Sequence, residues 1–280
     1  MMTLQQRPGC RAAAALLCLL LILITGEPCR AGWQVEPGVP TTEQLRDIDG
    51  YSGSRIFAVG NAGTILQFDG TAWRDISGIT DQTVYGIWWA SKNEAFAAAD
   101  KGQILHFDGS GWGAMASGTT LRLRDIWGAS SDCMYAVGET GTILRFDGNS
   151  WKKMTSPTSL TLQSVWGSSC TSVYAVGGES GSGGTGSGTI IYYDGSQWTT
   201  QSGSATPRLQ YIFGVDDSVY ATGDTGTILV SNGNDGKWSS MQSGAVDNLR
   251  GIWGTSGQNL YAVGDYGTAL HYDGTTWTQE

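Results

Sequence analysis

Leu123-Arg-Asp-Ile-Trp-Gly128, then Tyr135-Ala-Val-Gly138, then Gly141-Thr-Ile-Leu-Arg-Phe-Asp-Gly148, then Trp151 make up one unit that this 280-residue chain spells six times over. The tryptophan after each Asp-Gly turn recurs as Trp73, Trp112, Trp151, Trp198, Trp238 and Trp277, at spacings of 39, 39, 47, 40 and 39 residues. The aromatic that opens each unit recurs as Trp88, Trp127, Trp166, Phe213 and Trp253, with Asp49 in its place in the first copy. A period of about 40 residues marks a repeat architecture.

Within a unit, short apolar runs at 123–127, 134–137 and 142–146, and a fourth beginning at Trp151, are separated by turn residues. Runs this short, rich in β-branched and aromatic residues, read as strands. Glu139-Thr-Gly141 suits a tight turn whose glycine takes positive φ, and Asp147-Gly148 is a hairpin signal. No stretch in the repeats holds a 3.6-residue apolar period. Three hairpins and a longer link describe a four-stranded antiparallel blade. The expected fold is therefore all-β, a six-bladed β-propeller with repeats near 45–83, 84–122, 123–161, 162–208, 209–248 and 249–280. Blades stacked face to face explain why each strand is apolar on both sides.

Trp33 stands 40 residues before Trp73, at the register of an outermost strand. Residues 32–44 are accordingly expected to supply a closing strand, with 33–39 pairing onto the last blade to fasten the ring. Residues 1–31 read as a signal peptide: Arg7 and Arg11, an apolar stretch at 12–24, then Cys29-Arg-Ala31 with small residues at the cleavage positions. Residues 32–280 then form one domain, periplasmic or secreted and not inserted in a membrane.

The formal net charge is −9, and loss of Arg7, Arg11 and Arg30 against Glu27 alone makes the remainder more acidic still. Nucleic acid is a poor partner for such a chain, because polyanion binding rests on basic clusters. Cys133 and Cys170 fall in the same loop of adjacent copies. They either bridge blades three and four or remain two thiols.

The phrases Ile-Trp-Gly, Tyr-Ala-Val-Gly and Gly-Thr-Ile-Leu-x-Phe-Asp-Gly-x-x-Trp resemble exported bacterial propellers of the WD40/YVTN-like superfamily, and are similar to repeats of the photosystem II stability/assembly-factor propellers. That resemblance covers residues 33–280 and implies a non-catalytic scaffold that binds other molecules, usually proteins. Members with seven blades differ from the six copies here. The Asp-Gly-x-x-Trp corner also resembles the Asp-box of sialidase-type propellers with one residue missing. Strand order resembles tectonin-type lectins, which implies glycan binding.

Chemistry-bearing residues are few. His106 and His271 share a strand position held elsewhere by Gln67, Arg145, Tyr192 and Val230, so they read as solvent-facing. No Cys/His cluster has metal spacing and no nucleophile elbow or phosphate loop occurs, so no catalytic residue, metal or cofactor is expected. One column does converge. Arg46, Tyr85, Arg124, Gln163, Gln210 and Arg250 begin the six first strands and should circle one mouth of the channel. Asn61, Asp100, Glu139, Asp224 and Asp265, in the loops between second and third strands, should reach the same mouth. Acid-x-Gly is also ordinary turn chemistry. Trp89 stands where other copies have glycine and is a candidate stacking residue for a ligand. The fourth copy carries a Gly/Ser insertion over 178–188 that is either a flap over the mouth or a tolerated surface loop. The expected function is an exported, monomeric binding scaffold for a protein partner. The alternative is a glycan-binding or glycoside-cleaving propeller.

Overall fold

The computed structural model describes residues 36, 38–181, 186–201, 207–232 and 236–280. It is an all-β propeller of six blades, each an antiparallel sheet of four strands in sequence order from the centre outward. The innermost strands are Leu45–Ser52, Val84–Ser91, Leu123–Ser130, Leu162–Ser169, Leu209–Val215 and Leu249–Ser256, for blades 1 to 6.

Local chemistry sets each blade. Between second and third strands the chain takes two left-handed residues in succession, as at Thr140 (φ 51°) and Gly141 (φ 66°). Glycine is required in the second because the Thr158 carbonyl oxygen of the following link lies 2.0 Å from where a Cβ would stand. Between third and fourth strands, Asp69 Oδ1 accepts the N–H groups of Thr71 and Ala72 at 2.9 and 3.0 Å, and Asp108, Asp147, Asp194 and Asp273 repeat that bond pattern. These bonds, led by the Thr71 hydroxyl, lower the Asp69 pKa to about 2.

Both faces of a blade are buried. Tyr135, Val137 and Ile143 of blade 3 pack with Leu162, Val165 and Ala175 of blade 4. On the opposite face, Met134, Ala136 and Leu144 pack with Phe96, Ala98 and Ile104 of blade 2. This accounts for the uninterrupted apolar run Met134-Tyr-Ala-Val137. Shared cores of this kind join blades 1 to 2, 2 to 3, 3 to 4, 4 to 5 and 5 to 6. A disulfide, Cys133 to Cys170 with Cα atoms 6.1 Å apart, crosses from blade 3 to blade 4.

Blade 6 takes all four strands from its own repeat, ending at Trp277–Gln279. Residues 38–44 form no strand, and Val39 packs on blade 1 beside Leu45, Ile48 and Leu66 rather than on blade 6. Residues 1–35 and 37, with the expected signal peptide and most of the closing strand, lie outside the described residues. The insertion at 178–188 lengthens a hairpin, with Gly178 opposite Gly188 and Glu179 opposite Ser187, while 182–185 lie outside the described residues.

Candidate functional site

The second residue of each inner strand points into the channel mouth. Arg46, Tyr85, Arg124, Gln163, Gln210 and Arg250 line one cavity of about 460 Å³, as the repeat register implies. The loop acids stand beside them. Arg250 meets Asp265 through two bonds, Nε at 2.9 Å and a terminal nitrogen at 2.8 Å. Gln210 Nε2 donates to Asp224 at 2.6 Å, and the Tyr85 hydroxyl donates to Asp100 at 3.4 Å. Glu139 accepts a terminal nitrogen of Arg122 at 3.1 Å and lies 3.9 Å from Arg124. The acids therefore pair with the mouth column rather than forming a ring aimed at a cation. Among the described residues no group of three or more His, Cys, Asp or Glu is placed to hold a metal ion.

Charge is unevenly matched around the mouth. Blade 1 has Asn61 where blades 2, 3, 5 and 6 have an acid, so Arg46 Nε donates to an amide oxygen at 2.9 Å and has no carboxylate partner among the described residues. Arg124 has a buried Nε without a hydrogen-bond partner. Burial first, and then the Arg122 charge, pull its pKa down. The guanidinium carbons of Arg46, Arg122 and Arg124 lie 5.8, 5.4 and 4.9 Å from the centroid of the Tyr85 ring. Three cations around one aromatic ring, with too few carboxylates between them, favour an incoming anion.

Asp47, Asp125 and Tyr211, each the third residue of its inner strand, line the same cavity. Asp47 accepts the Ile87 N–H of the next blade at 2.8 Å. Asp125 likewise accepts the Val165 N–H at 2.9 Å and the Ser164 hydroxyl at 2.8 Å. Burial, with the Asp125 charge second, holds the Asp47 pKa well above the usual carboxylate range. Burial raises Asp125 to about 6. Tyr211 shares this cavity, and its pKa is pushed well above 10 by burial and by the charges of Asp47, Asp125 and Asp49. A phenol in that state donates hydrogen bonds. These carboxylates tie inner strands of neighbouring blades together, which is a structural task.

Trp89 is corrected from a ligand platform to a core residue. It is 7% exposed, its ring stacks on Phe57 at 4.8 Å between centroids, and it does not line the cavity. His106 and His271 lie on partly exposed strand surface, bonded to Glu94 at 3.0 Å and Asn259 at 2.8 Å. The lining also includes residues outside the predicted column and loop acids, among them Asp47, Asp125, Arg208, Tyr211 and Tyr266. Asp47 and Tyr211 were legible as the column one place beyond Arg46. Tyr266 sits at φ 56° in the turn of blade 6 and is 96% exposed at the rim, where other blades carry Ala62, Lys101, Thr140 and Thr225.

No protein-family model and no curated protein matches the chain. Solved structures do. YCF48 bound to D1 peptide superposes with a TM-score of 0.68 at 18% identity, over 86% of this chain and 82% of that one. YCF48 from Cyanidioschyzon merolae gives 0.67 at 17% identity, over 86% of each chain. The WD40 β-propeller domain of Doa1 gives 0.67 at 13% identity, over 85% and 82%. At these identities the likeness shows a shared β-propeller fold.

Proposed function

We propose that the chain is an exported, non-catalytic scaffold whose channel mouth holds an extended protein segment bearing a carboxylate. The observation that carries this reading is the arginine cluster around Tyr85, in which Arg46 has no carboxylate partner among the described residues. Arginine grips carboxylates through paired N–H donors, and a cavity of about 460 Å³ has room for a few side chains. Tyr266 at the rim supplies an exposed aromatic anchor of the kind that dominates protein contacts. The structural neighbour YCF48 was solved with a peptide bound, which supports a polypeptide ligand over a glycan. Export rests on the sequence of residues 1–31.

Panning a phage library of random octapeptides against the purified protein tests the site. Acidic peptides should be enriched, and their binding should be lost in the Arg46→Ala/Arg124→Ala double variant. Failure to enrich any peptide, alongside saturable binding to a glycan panel, would replace this reading with the lectin one. The mass of the protein recovered from cells tests export, since a signal peptide predicts a new N-terminus near Gly32.

A further inference from the structure

In all six blades the inner strand carries a bulge at its second residue. Its first and third residues pair with consecutive residues of the second strand, as Leu45 with Gly60 and Asp47 with Val59, and the residue between them is left over. A regular strand would send neighbouring side chains to opposite faces. The bulge instead lets two consecutive residues line the mouth cavity: Arg46 with Asp47, Arg124 with Asp125, and Gln210 with Tyr211. Blades 1 and 3 therefore each bring a carboxyl group into the same cavity as the guanidinium that precedes it in the chain.

Two kinds of acid stand at this site, and their partners differ. The loop acids Asp100, Glu139, Asp224 and Asp265 are ion-paired with arginine. Among the described residues, Asp47, Asp49 and Asp125 accept only main-chain N–H groups and, at Asp125, the Ser164 hydroxyl. Buried carboxyl groups that lack a cation and sense one another resist ionising together. The charges of Asp125 and Asp49 act on Asp47, and that of Asp49 acts on Asp125. Burial is the leading cause of the raised pKa of all three, about 6 for Asp49 and Asp125.

The remaining charged groups at the cavity are the arginines, Arg46, Arg122, Arg124, Arg208 and Arg250, which stay cationic, and the loop acids already bonded to arginine. Tyr85 and Tyr211 contribute phenols, and among the described residues no histidine lines the cavity. We propose that Asp47 and Asp125, together with Asp49, make anion binding at the mouth proton-dependent: ionised, they repel a carboxylate held at Arg46 and Arg124, and protonated, they do not. This rests on the reading that the mouth takes a carboxylate, and adds that it holds one more tightly as pH falls. The coupling runs both ways, so the arginine charges in turn favour ionisation of the acids.

That reciprocal effect is measurable with no ligand present. In protein labelled with carbon-13 at aspartate Cγ, each signal assigned through its own backbone resonances, the Arg46→Gln/Arg124→Gln variant should titrate Asp47 and Asp125 at a pH higher by about 0.5 or more. Asp69, in a turn between third and fourth strands, should keep its midpoint. Unmoved midpoints for Asp47 and Asp125 would overturn the proposal whatever the mouth binds. Binding is read with an acidic peptide selected at the mouth and resynthesised with cysteic acid, whose sulfonate does not titrate in this range. By fluorescence anisotropy at fixed ionic strength its affinity should rise about fivefold from about pH 7.5 to about pH 5. The same change should be less than about twofold in Asp47→Asn/Asp125→Asn. If that variant fails to fold, calorimetry of the native protein near pH 6 in two buffers of unlike ionisation heat should show proton uptake on binding. Binding that ignores pH, or that takes up no protons, would sink this proposal and leave the mouth a carboxylate site. No binding at either pH would sink the carboxylate reading and this proposal with it.

Discussion

The indole Nε1 of Trp89 donates to the main-chain carbonyl of Asp49 at 3.1 Å, while the Asp49 carboxylate accepts the main-chain N–H of Trp89 at 2.8 Å. At three later junctions the earlier blade supplies a tryptophan and the next blade a glycine beneath it. Between blades 1 and 2 the large residue has changed sides, and Asp49 occupies the position vacated by the ring. The two departures from the repeat are therefore one exchange.

Trp89→Ala should cost about 3 to 5 kcal/mol, the range for removing a buried aromatic. Asp49→Trp alone should also destabilise, because a second indole has to enter a filled site. The double variant Asp49→Trp/Trp89→Gly restores the pattern of the other blades and should recover most of the loss. Urea titration of all four proteins measures the coupling, and additive losses would show that the residues do not share one space.

Stability should rise as pH falls from about 7 towards about 4, then decline. Burial, followed by opposing main-chain bonds, raises Asp49 to about 6, and Asp125 is likewise raised to about 6. A folded pKa above the unfolded value near 3.9 means that the folded state binds more protons between those two values, so acidification through that window favours folding. Each shift of about two units corresponds to at most about 2.7 kcal/mol. Below about pH 4 the turn aspartates act in the other direction, since Asp69, Asp108, Asp194 and Asp273 are lowered to about 2. Asp125→Asn should flatten the slope between pH 4 and 7, as read by thermal melts at fixed ionic strength. An unchanged slope would show that Asp125 is not among the groups that titrate there.

Reduction should loosen blades 3 and 4 together. The Cys133 to Cys170 bridge closes a loop with a sequence separation of 37 residues. Loops of that order contribute about 2 to 4 kcal/mol. Cys133→Ala/Cys170→Ala should lower the urea midpoint accordingly and remove any further effect of a reductant. A midpoint that responds to reductant in the double variant would place the sensitivity elsewhere.

Repetition made the strands, turns and mouth column legible, because a residue type that returns every 39 or 40 positions reports its environment six times. The same averaging hid what is particular to one junction. Trp89 read as surplus because its partner, Asp49, lies 40 residues away in a different copy. Counting copies also leaves closure undetermined, since six blades in order say nothing about whether the sixth meets the first. Arg208 was missed because it stands one place before the inner strand, outside the repeated phrase, and reaches the mouth through Asp224 at 3.3 Å.

Arg46 and Arg250 occupy the same repeat position and should behave differently in binding. Arg250 is neutralised by two bonds to Asp265, which raise its pKa and lower that of its partner. Arg46 is bonded to the amide of Asn61. A carboxylate entering the mouth finds a charge to pair with at Arg46, whereas at Arg250 it competes with a resident one. Arg46→Gln should therefore weaken an acidic peptide selected at the mouth by about tenfold, or about 1.4 kcal/mol, and reduce the salt dependence of its binding. Arg250→Gln should change affinity by less than about twofold, because it removes an ion pair that was already internally satisfied. Asp265→Asn separates charge from shape: it keeps the side-chain outline, frees the Arg250 guanidinium, and should tighten the same peptide. Fluorescence anisotropy at two salt concentrations reads all three variants. Equal losses for Arg46→Gln and Arg250→Gln would mean that the mouth recognises its ligand by contact around the whole ring rather than by the unpaired charge in blade 1.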